Sequence, residues 1–344
     1  MAHLCLILFV SSDFSSFADM SRTVAVFSKH STSLLNKLRE LLPSLVFVEV
    51  LPSDLSPLKE AEIIVGDYNL IAPHLYQLPK LKWVQGTWAG LDSLWPHIDR
   101  QAPPKFPITR TSGENFGTLM REYVIANMVF WERNYFKAIE NQKAKLYDRD
   151  VSPNDYRSIA DLKVAILGVG SIGSIIGRSL KGLGATVYGM GRRATIPLEA
   201  PENAYLEKYY TKTGLGHLLS SVDYIVNVLP KTPETTNILG NGMLKHCKNK
   251  NVVFINIGRG NVLTELELVQ ALNEKWISGA ILDVFEKEPL PQESQLWTLP
   301  NIFITPHISG NSRAQDIAEK FRINLARFEK NEPLVNQVDF DKGY

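Results

Sequence analysis

The sequence predicts an α/β protein of two units, each a parallel, doubly wound sheet, with a deep cleft between them. Three observations carry this reading. Short apolar runs of strand length recur from residue 23 to about 112, and again from residue 163 to 305. Helical spacing or turn residues fill the intervals. A glycine-rich turn opens the second series directly after its first strand. With 344 residues, the chain has room for roughly two domains of about 150 residues each.

In the first series Thr23–Phe27, Val46–Val50, Glu62–Val65, Trp83–Gln85 and Ile108–Thr109 are predicted strands, and Ser33–Leu42 has helical spacing. Glu114 to Lys145 contains no proline and reads as a mostly helical spine joining two domains. Its apolar part, Tyr123–Trp131, is bracketed by Arg121, Glu122, Glu132 and Arg133, so it is expected to be buried core. The second series places strands at Lys163–Leu167, Thr186–Gly189, Tyr224–Val228, Val252–Ile257, Ala280–Val284 and Ile302–Thr305. A helix near Arg313–Phe328 closes the chain and is expected to return to the first unit. The domains are therefore expected to be discontinuous: residues 22–115 with 310–344, and residues 116–309. Residues 1–21 are expected to be an appendage.

Charge is balanced, with 37 Lys and Arg against 36 Asp and Glu. No basic run gathers a field for phosphate backbones, so nucleic acid is not an expected partner. Two cysteines, Cys5 and Cys247, exclude a disulfide framework and suit a reducing compartment. The histidines have no metal-ligand spacing, and no metal is expected. The apolar run Leu4–Val10 has no basic residue ahead of it and ends in Ser-Ser-Asp, so it is not read as a secretory signal. It is also too short to cross a bilayer. A cytoplasmic protein with no membrane partner is expected.

Lys163-Val-Ala-Ile-Leu-Gly168-Val-Gly170-Ser171-Ile172-Gly173 is the strongest local motif. It follows an apolar strand and opens a helical pattern, the context that a dinucleotide-binding turn requires. Gly168 permits the tight turn, Gly170 leaves room for a pyrophosphate, and Gly173 lets helix and strand approach. The N–H groups at the start of the helix, from Ser171 and Ile172 onward, then face the phosphates. An NAD-specific site carries an acid about 20 residues further on. Here no acid lies between Gly173 and Glu199, and the second strand ends in Arg192 and Arg193. These arginines can pair with a 2′-phosphate. NADP(H) is therefore favoured, with NAD(H) possible, and the two units are expected to be Rossmann-like.

Three charged or titratable residues follow predicted parallel strands: Arg259 in Ile255-Asn-Ile257-Gly258-Arg-Gly, Glu288 in Leu282-Asp283-Val-Phe-Glu-Lys-Glu-Pro, and His307 in Thr305-Pro-His. Ligands of open α/β sheets bind beyond the carboxyl ends of strands, so these residues are expected to converge. A 2-keto acid has a carboxylate and a carbonyl side by side, which a guanidinium fork can bind and polarise. Arg259 takes that part. His307 titrates in the range needed to protonate the new alkoxide, and Glu288 pairs with it to favour and orient the imidazolium. Asp283 is expected to accept from the nicotinamide carboxamide, and Ile257 and Gly258 are counted with the cofactor residues.

Together with Gln85-Gly-Thr-Trp88-Ala89-Gly90-Leu91-Asp, Leu229-Pro230-Lys-Thr-Pro-Glu-Thr235 and the tail Gln337-Val-Asp-Phe-Asp-Lys-Gly-Tyr, these motifs resemble the D-isomer-specific 2-hydroxyacid dehydrogenases from about residue 23 onward. Within them the chain is most similar to the branch that reduces glyoxylate and hydroxypyruvate. The resemblance implies the same roles for Arg259, Glu288 and His307. It adds that backbone N–H groups at Ala89, Gly90 and Leu91 hold the substrate carboxylate and that Trp88 lines the pocket. It also implies that Leu229, Pro230 and Thr235 border the cofactor, and that the chain forms a homodimer through its cofactor domains. Two departures stand out: the cofactor loop reads Met190-Gly-Arg-Arg, and Gly66-Asp-Tyr-Asn69 lacks the tryptophan expected nearby. The alternative of another class is a dinucleotide-sensing binding protein, like the corepressors that share this fold.

Overall fold

The computed structural model describes residues 23–151, 156–248 and 250–343. The 1–21 segment, with its apolar run, lies outside the described residues. Runs of Val, Ile and Leu become strands covered on both faces, as parallel strands between helices must be. The first sheet contains β1 (Thr23–Phe27), β2 (Val46–Glu49), β3 (Ile63–Gly66), β4 (Trp83–Gly86) and β5 (Ile108–Thr109). All pairs are parallel, in the order β2-β1-β3-β4-β5. The connections include α1 (Ser31–Leu41), α2 (Ser56–Glu60) and α3 (Tyr68–Ile71). α1 begins two residues before its apolar spacing does and buries Leu34, Leu35 and Leu38.

The expected spine is two helices, α4 (Glu114–Glu132) and α5 (Tyr135–Lys143). The break falls at Asn134, whose φ of 52° is left-handed. Asparagine adopts that conformation at little cost, and here its side chain donates to Val151 O at 3.0 Å. Nor is the run Tyr123–Trp131 core all round. Val124, Asn127 and Met128, with Gly117 and Met120, form one buried stripe, while Ile125, Val129 and Phe130 are only partly covered. The stripe packs on α6 (Ser171–Gly182), where a Cβ on Gly117 would stand 2.4 Å from Ile175 Cδ1.

The second sheet holds β6 (Lys163–Leu167), β7 (Thr186–Met190), β8 (Lys208–Tyr210), β9 (Tyr224–Asn227), β10 (Val253–Asn256), β11 (Gly279–Leu282) and β12 (Ile302–Ile304). Its order is β12-β11-β10-β9-β6-β7-β8, again all parallel. α7 (Leu215–Leu219) and α8 (Glu265–Asn273) cover part of it. β8 escapes a periodicity reading because it is a three-residue edge strand, Lys-Tyr-Tyr, with no fully buried residue. Register sets where the loops leave the sheet. Leu167 lies beside Asn227, Asn227 beside Asn256, Asn256 beside Leu282, and Leu282 beside Ile304. Five strands thus end on one line and their loops emerge together, with the order reversing between β6 and β9.

α9 (Ala314–Glu329) packs on the first sheet. The Phe321 ring stacks on Trp83 at 5.1 Å, and Ile317, Ala318 and Leu325 join Val24, Val26 and Leu38. Buried Asn324 donates to Gln85 Oε1 and Val335 O. The tail then runs antiparallel to β5, with Gln337 opposite Thr109 and Val338 N donating to Ile108 O. This covers an edge that would otherwise be open to pairing. Among the described residues, no helix is long and apolar enough to cross a membrane.

Candidate active site

The glycine turn lies at the centre of the second sheet's carboxyl edge. Gly168 has a φ of +104°, which only glycine adopts freely, and its N–H donates to Met190 O. A Cβ on Gly173 would stand 2.0 Å from Gly168 O, so the start of α6 is pressed onto the turn. A Cβ on Gly170, by contrast, would meet nothing within 4 Å. The backbone there is open to a close ligand, and the N-terminal N–H groups of α6 begin at exposed Ser171. These features fit a dinucleotide pyrophosphate. Ile172 turns partly into the core of the second sheet. Arg192 and Arg193 are exposed just past β7, in a loop held by a hydrogen bond from Tyr209 OH to Arg193 O.

Two buried asparagines, Asn227 and Asn256, end β9 and β10 and organise the neighbouring loops. Asn227 donates to Asn256 Oδ1 at 2.8 Å and accepts from Leu229 N. Asn256 accepts from Gly258 N and donates to Arg259 O. Ile257 is buried and donates its N–H to Asn227 O. In the next loop Thr235 Oγ1 donates to Pro230 O and accepts from Thr232 N, closing the turn that carries Leu229 and Pro230. The sequence reading missed both asparagines. Their signal was an amide ending each of two otherwise apolar strands, Tyr-Ile-Val-Asn and Val-Phe-Ile-Asn.

Arg259 reaches toward the first sheet. Its Nη1 donates to Gly258 O at 2.7 Å, while Nε and Nη2 meet Asp92 Oδ2 at 2.8 and 2.7 Å. Burial opposes ionisation of Asp92, but Arg259 outweighs it and holds the carboxyl below its ordinary pKa. Asp92 was also missed as a site residue, although it ends the Ala-Gly-Leu-Asp run. Gly90 lies under the guanidinium, where a Cβ would stand 2.0 Å from Nη2. Trp88 is half-buried against the first core, and Leu91 is buried within it. In the divergent Gly66–Asn69 stretch Asp67 and Tyr68 turn inward, while Asn69 is exposed. Asp67 accepts from Ser28 Oγ, Lys29 N and Thr87 Oγ1, and Tyr68 OH donates to Thr109 O.

His307 has a φ of +57°, in the left-handed region that few non-glycine residues adopt. Buried Asp283 holds it there. Asp283 O accepts from His307 N at 2.9 Å, and its carboxylate accepts from Ile308 N, Ser309 N and Thr305 Oγ1. The hydroxyls of Tyr123 and Thr305 lie 2.6 Å apart, tying this turn to α4. His307 Nδ1 sits 2.7 Å from Glu288 Oε2, and Glu288 Oε1 accepts from Phe285 N. The hydrogen bond to Glu288 raises the His307 pKa against the effect of burial. Burial would raise the Glu288 pKa, but hydrogen bonds from His307 and Phe285 bring it below the ordinary value. With Nδ1 engaged, Nε2 is the nitrogen left for proton transfer. Arg259 perturbs both groups by its charge, so the three form one electrostatic cluster. A guanidinium fork beside an acid–base imidazole can bind a carboxylate, polarise a carbonyl and deliver a proton.

Residues 125–309 match the profile of the D-isomer specific 2-hydroxyacid dehydrogenase NAD binding domain. The chain is 31% identical to the glyoxylate/hydroxypyruvate reductase A of Escherichia fergusonii over 320 residues, covering 91% of this chain and 96% of that protein. Its fold is similar to a D-isomer specific 2-hydroxyacid dehydrogenase family protein from Aeromonas salmonicida, with a TM-score of 0.82 and 34% identity over 93% of this chain and 100% of that one. It is also similar to an NADPH-dependent glyoxylate/hydroxypyruvate reductase from Sinorhizobium meliloti solved with NADP and sulfate. There the TM-score is 0.78 and the identity 27%, over 94% of this chain and all of that one.

Proposed function

The chain belongs to the D-isomer-specific 2-hydroxyacid dehydrogenases, and from that premise we propose that it reduces small 2-keto acids of the glyoxylate and hydroxypyruvate type with NADPH. It is an NAD(P)-dependent oxidoreductase. The observation that carries the finer reading is the cluster of Arg259, Glu288 and His307 on one sheet edge, facing the Trp88–Leu91 loop across Asp92. The cofactor, when bound, supplies the hydride. Gly168, Gly170, Gly173 and the start of α6 would hold its pyrophosphate, with Leu229, Pro230, Ile257 and Gly258 beside it and Arg192 and Arg193 at the 2′-phosphate. Asp283 already accepts three hydrogen bonds. A carboxylate has about four acceptor sites, so it retains one for a carboxamide.

Arg259 and the Ala89–Leu91 N–H groups bind the carboxylate, and Arg259 draws charge onto the carbonyl oxygen. His307 Nε2–H protonates the developing alkoxide, while Glu288 keeps the ring charged and fixed. Initial rates with glyoxylate, hydroxypyruvate and pyruvate, each with NADPH and NADH, test this reading. NADPH-preferring turnover is expected. Tight dinucleotide binding without turnover on any acid would instead favour a sensing protein. Replacing Arg192 and Arg193 together by alanine should raise the KM for NADPH about tenfold or more and leave that for NADH nearly unchanged, since each arginine offers a charge-assisted bond to the 2′-phosphate. Equal effects on both cofactors would remove the arginines from 2′-phosphate recognition.

The same reading divides the chain into 22–115 with 310–344, and 116–309. It also makes the protein a cytoplasmic homodimer. Tyr135 and Ile139 of α5, with Leu146 and Tyr147 just beyond it, leave large apolar surfaces exposed beside the half-covered face of α4, and exposed clusters of this kind commonly mark protein interfaces. Light scattering is expected to give twice the 38.7 kDa chain mass. Aspartate at Ile139 and Tyr147 should shift that mass to one chain, and a wild-type monomer would overturn the assignment.

A further inference from the structure

The loop after β4 has a polarity that its sequence conceals. Gly86 O accepts from Thr111 Oγ1 at 2.8 Å, Trp88 O from Thr111 N at 3.1 Å, and Ala89 O from Arg110 Nη1 at 3.3 Å. These three carbonyls therefore point toward the extension of β5. In a trans peptide the N–H points opposite to the carbonyl, so the Ala89 and Gly90 N–H groups face the other way. That side is where Arg259 lies, against Gly90. Among the described residues, no backbone carbonyl accepts from the Ala89 or Gly90 N–H. The extension of β5 is itself clamped from behind: Arg110 N donates to Asn336 O, and Asn336 Nδ2 donates to Ser112 O at 2.7 Å.

We propose that Arg110 is a positioning residue for the substrate carboxylate, its guanidinium on Ala89 O orienting and polarising the peptide whose far end is the Gly90 N–H. This rests on the reading that the Ala89–Leu91 N–H groups hold that carboxylate. A guanidinium stays charged at all working pH values. A cation at a carbonyl oxygen withdraws electron density from the amide and strengthens its N–H as a donor. Arg110 thus transmits positive charge to the anion site through one peptide unit, beside the direct charge of Arg259.

The test is Arg110→Met, which keeps the side chain's bulk without its charge, beside Arg110→Lys. Steady-state rates with glyoxylate and hydroxypyruvate at saturating NADPH are combined with calorimetry of oxamate, a glyoxylate mimic, on the NADPH-loaded enzyme. With Arg110→Met, KM for both acids and the oxamate dissociation constant should rise about tenfold, with kcat within about twofold and NADPH affinity unchanged, as for a lost charge-assisted donor. Arg110→Lys should recover part of the loss, and it is read alone against wild type if Arg110→Met does not fold. Unchanged KM and oxamate binding would overturn the proposal. So would a loss confined to hydroxypyruvate, which would mean contact with the part that distinguishes the two acids. A wild-type protein that turns over neither acid and binds no oxamate would overturn the underlying reading, and this proposal with it.

Discussion

Replacing His307 by alanine is expected to lower kcat for keto-acid reduction by about 10³-fold, within the range of a positioned general acid. In the proposed reaction the alkoxide formed by hydride addition needs a proton, and with Nδ1 engaged by Glu288 it is His307 Nε2 that would give one. Glu288 accepts from Nδ1 at 2.7 Å, and this bond is the main cause of the raised His307 pKa. A raised pKa keeps the imidazole protonated to higher pH than a free imidazole, so the reduction rate should fall as pH rises through that raised value. Glu288→Gln removes the carboxylate that favours the charged ring, so the falling limb should move to lower pH while NADPH affinity stays the same. A His307→Ala enzyme within tenfold of wild type, or a limb that Glu288→Gln leaves in place, would remove His307 from the acid role.

Arg259→Ala should be comparably severe, with kcat/KM reduced roughly 10³-fold or more, in line with losing a preorganised charge at a developing oxyanion. Two effects combine. The fork no longer engages the carboxylate and carbonyl, and Asp92 is left facing an anionic substrate without its partner. Arg259 now draws both Nε and Nη2 to Asp92 Oδ2, which fixes the plane of the guanidinium. Arg259→Lys should recover little, because an ammonium keeps the charge but not the planar fork. Adding Asp92→Asn to Arg259→Ala should recover part of the KM loss by removing the stranded negative charge. Initial rates across substrate concentration decide this, and an unchanged kcat/KM for Arg259→Lys would show that charge alone suffices.

The two largest losses fall on residues that the sequence exposed directly. Arg259 and His307 each follow a mostly apolar run, and in a parallel sheet such a run ends where ligands bind. Glu288 was legible only by its company, since Glu286 and Lys287 beside it have the same surface composition. Its pairing with His307 depends on the turn after β11 folding back toward β12. The glycine turn was legible because its residues are neighbours in sequence, and Gly168 and Gly173 answer local steric demands while Gly170 leaves open space.

Most strands, the cofactor turn and the order of the charged residues past the strand ends were therefore readable locally. Alternation and apolar runs depend on contacts a few residues apart, and these survive in one dimension. Tertiary structure alone decided the rest. It set the break at Asn134 and the short edge strand β8. It brought Asp92 onto Arg259 from 167 residues away, and joined Asn227 to Asn256 at the ends of adjacent strands. It also buried Asp283 beneath the His307 turn and linked that turn to Tyr123, 182 residues from Thr305. Each of these contacts exists because strand register places loops from distant parts of the chain on one edge. A side chain's partner across that edge is fixed by the register, and no local pattern encodes it.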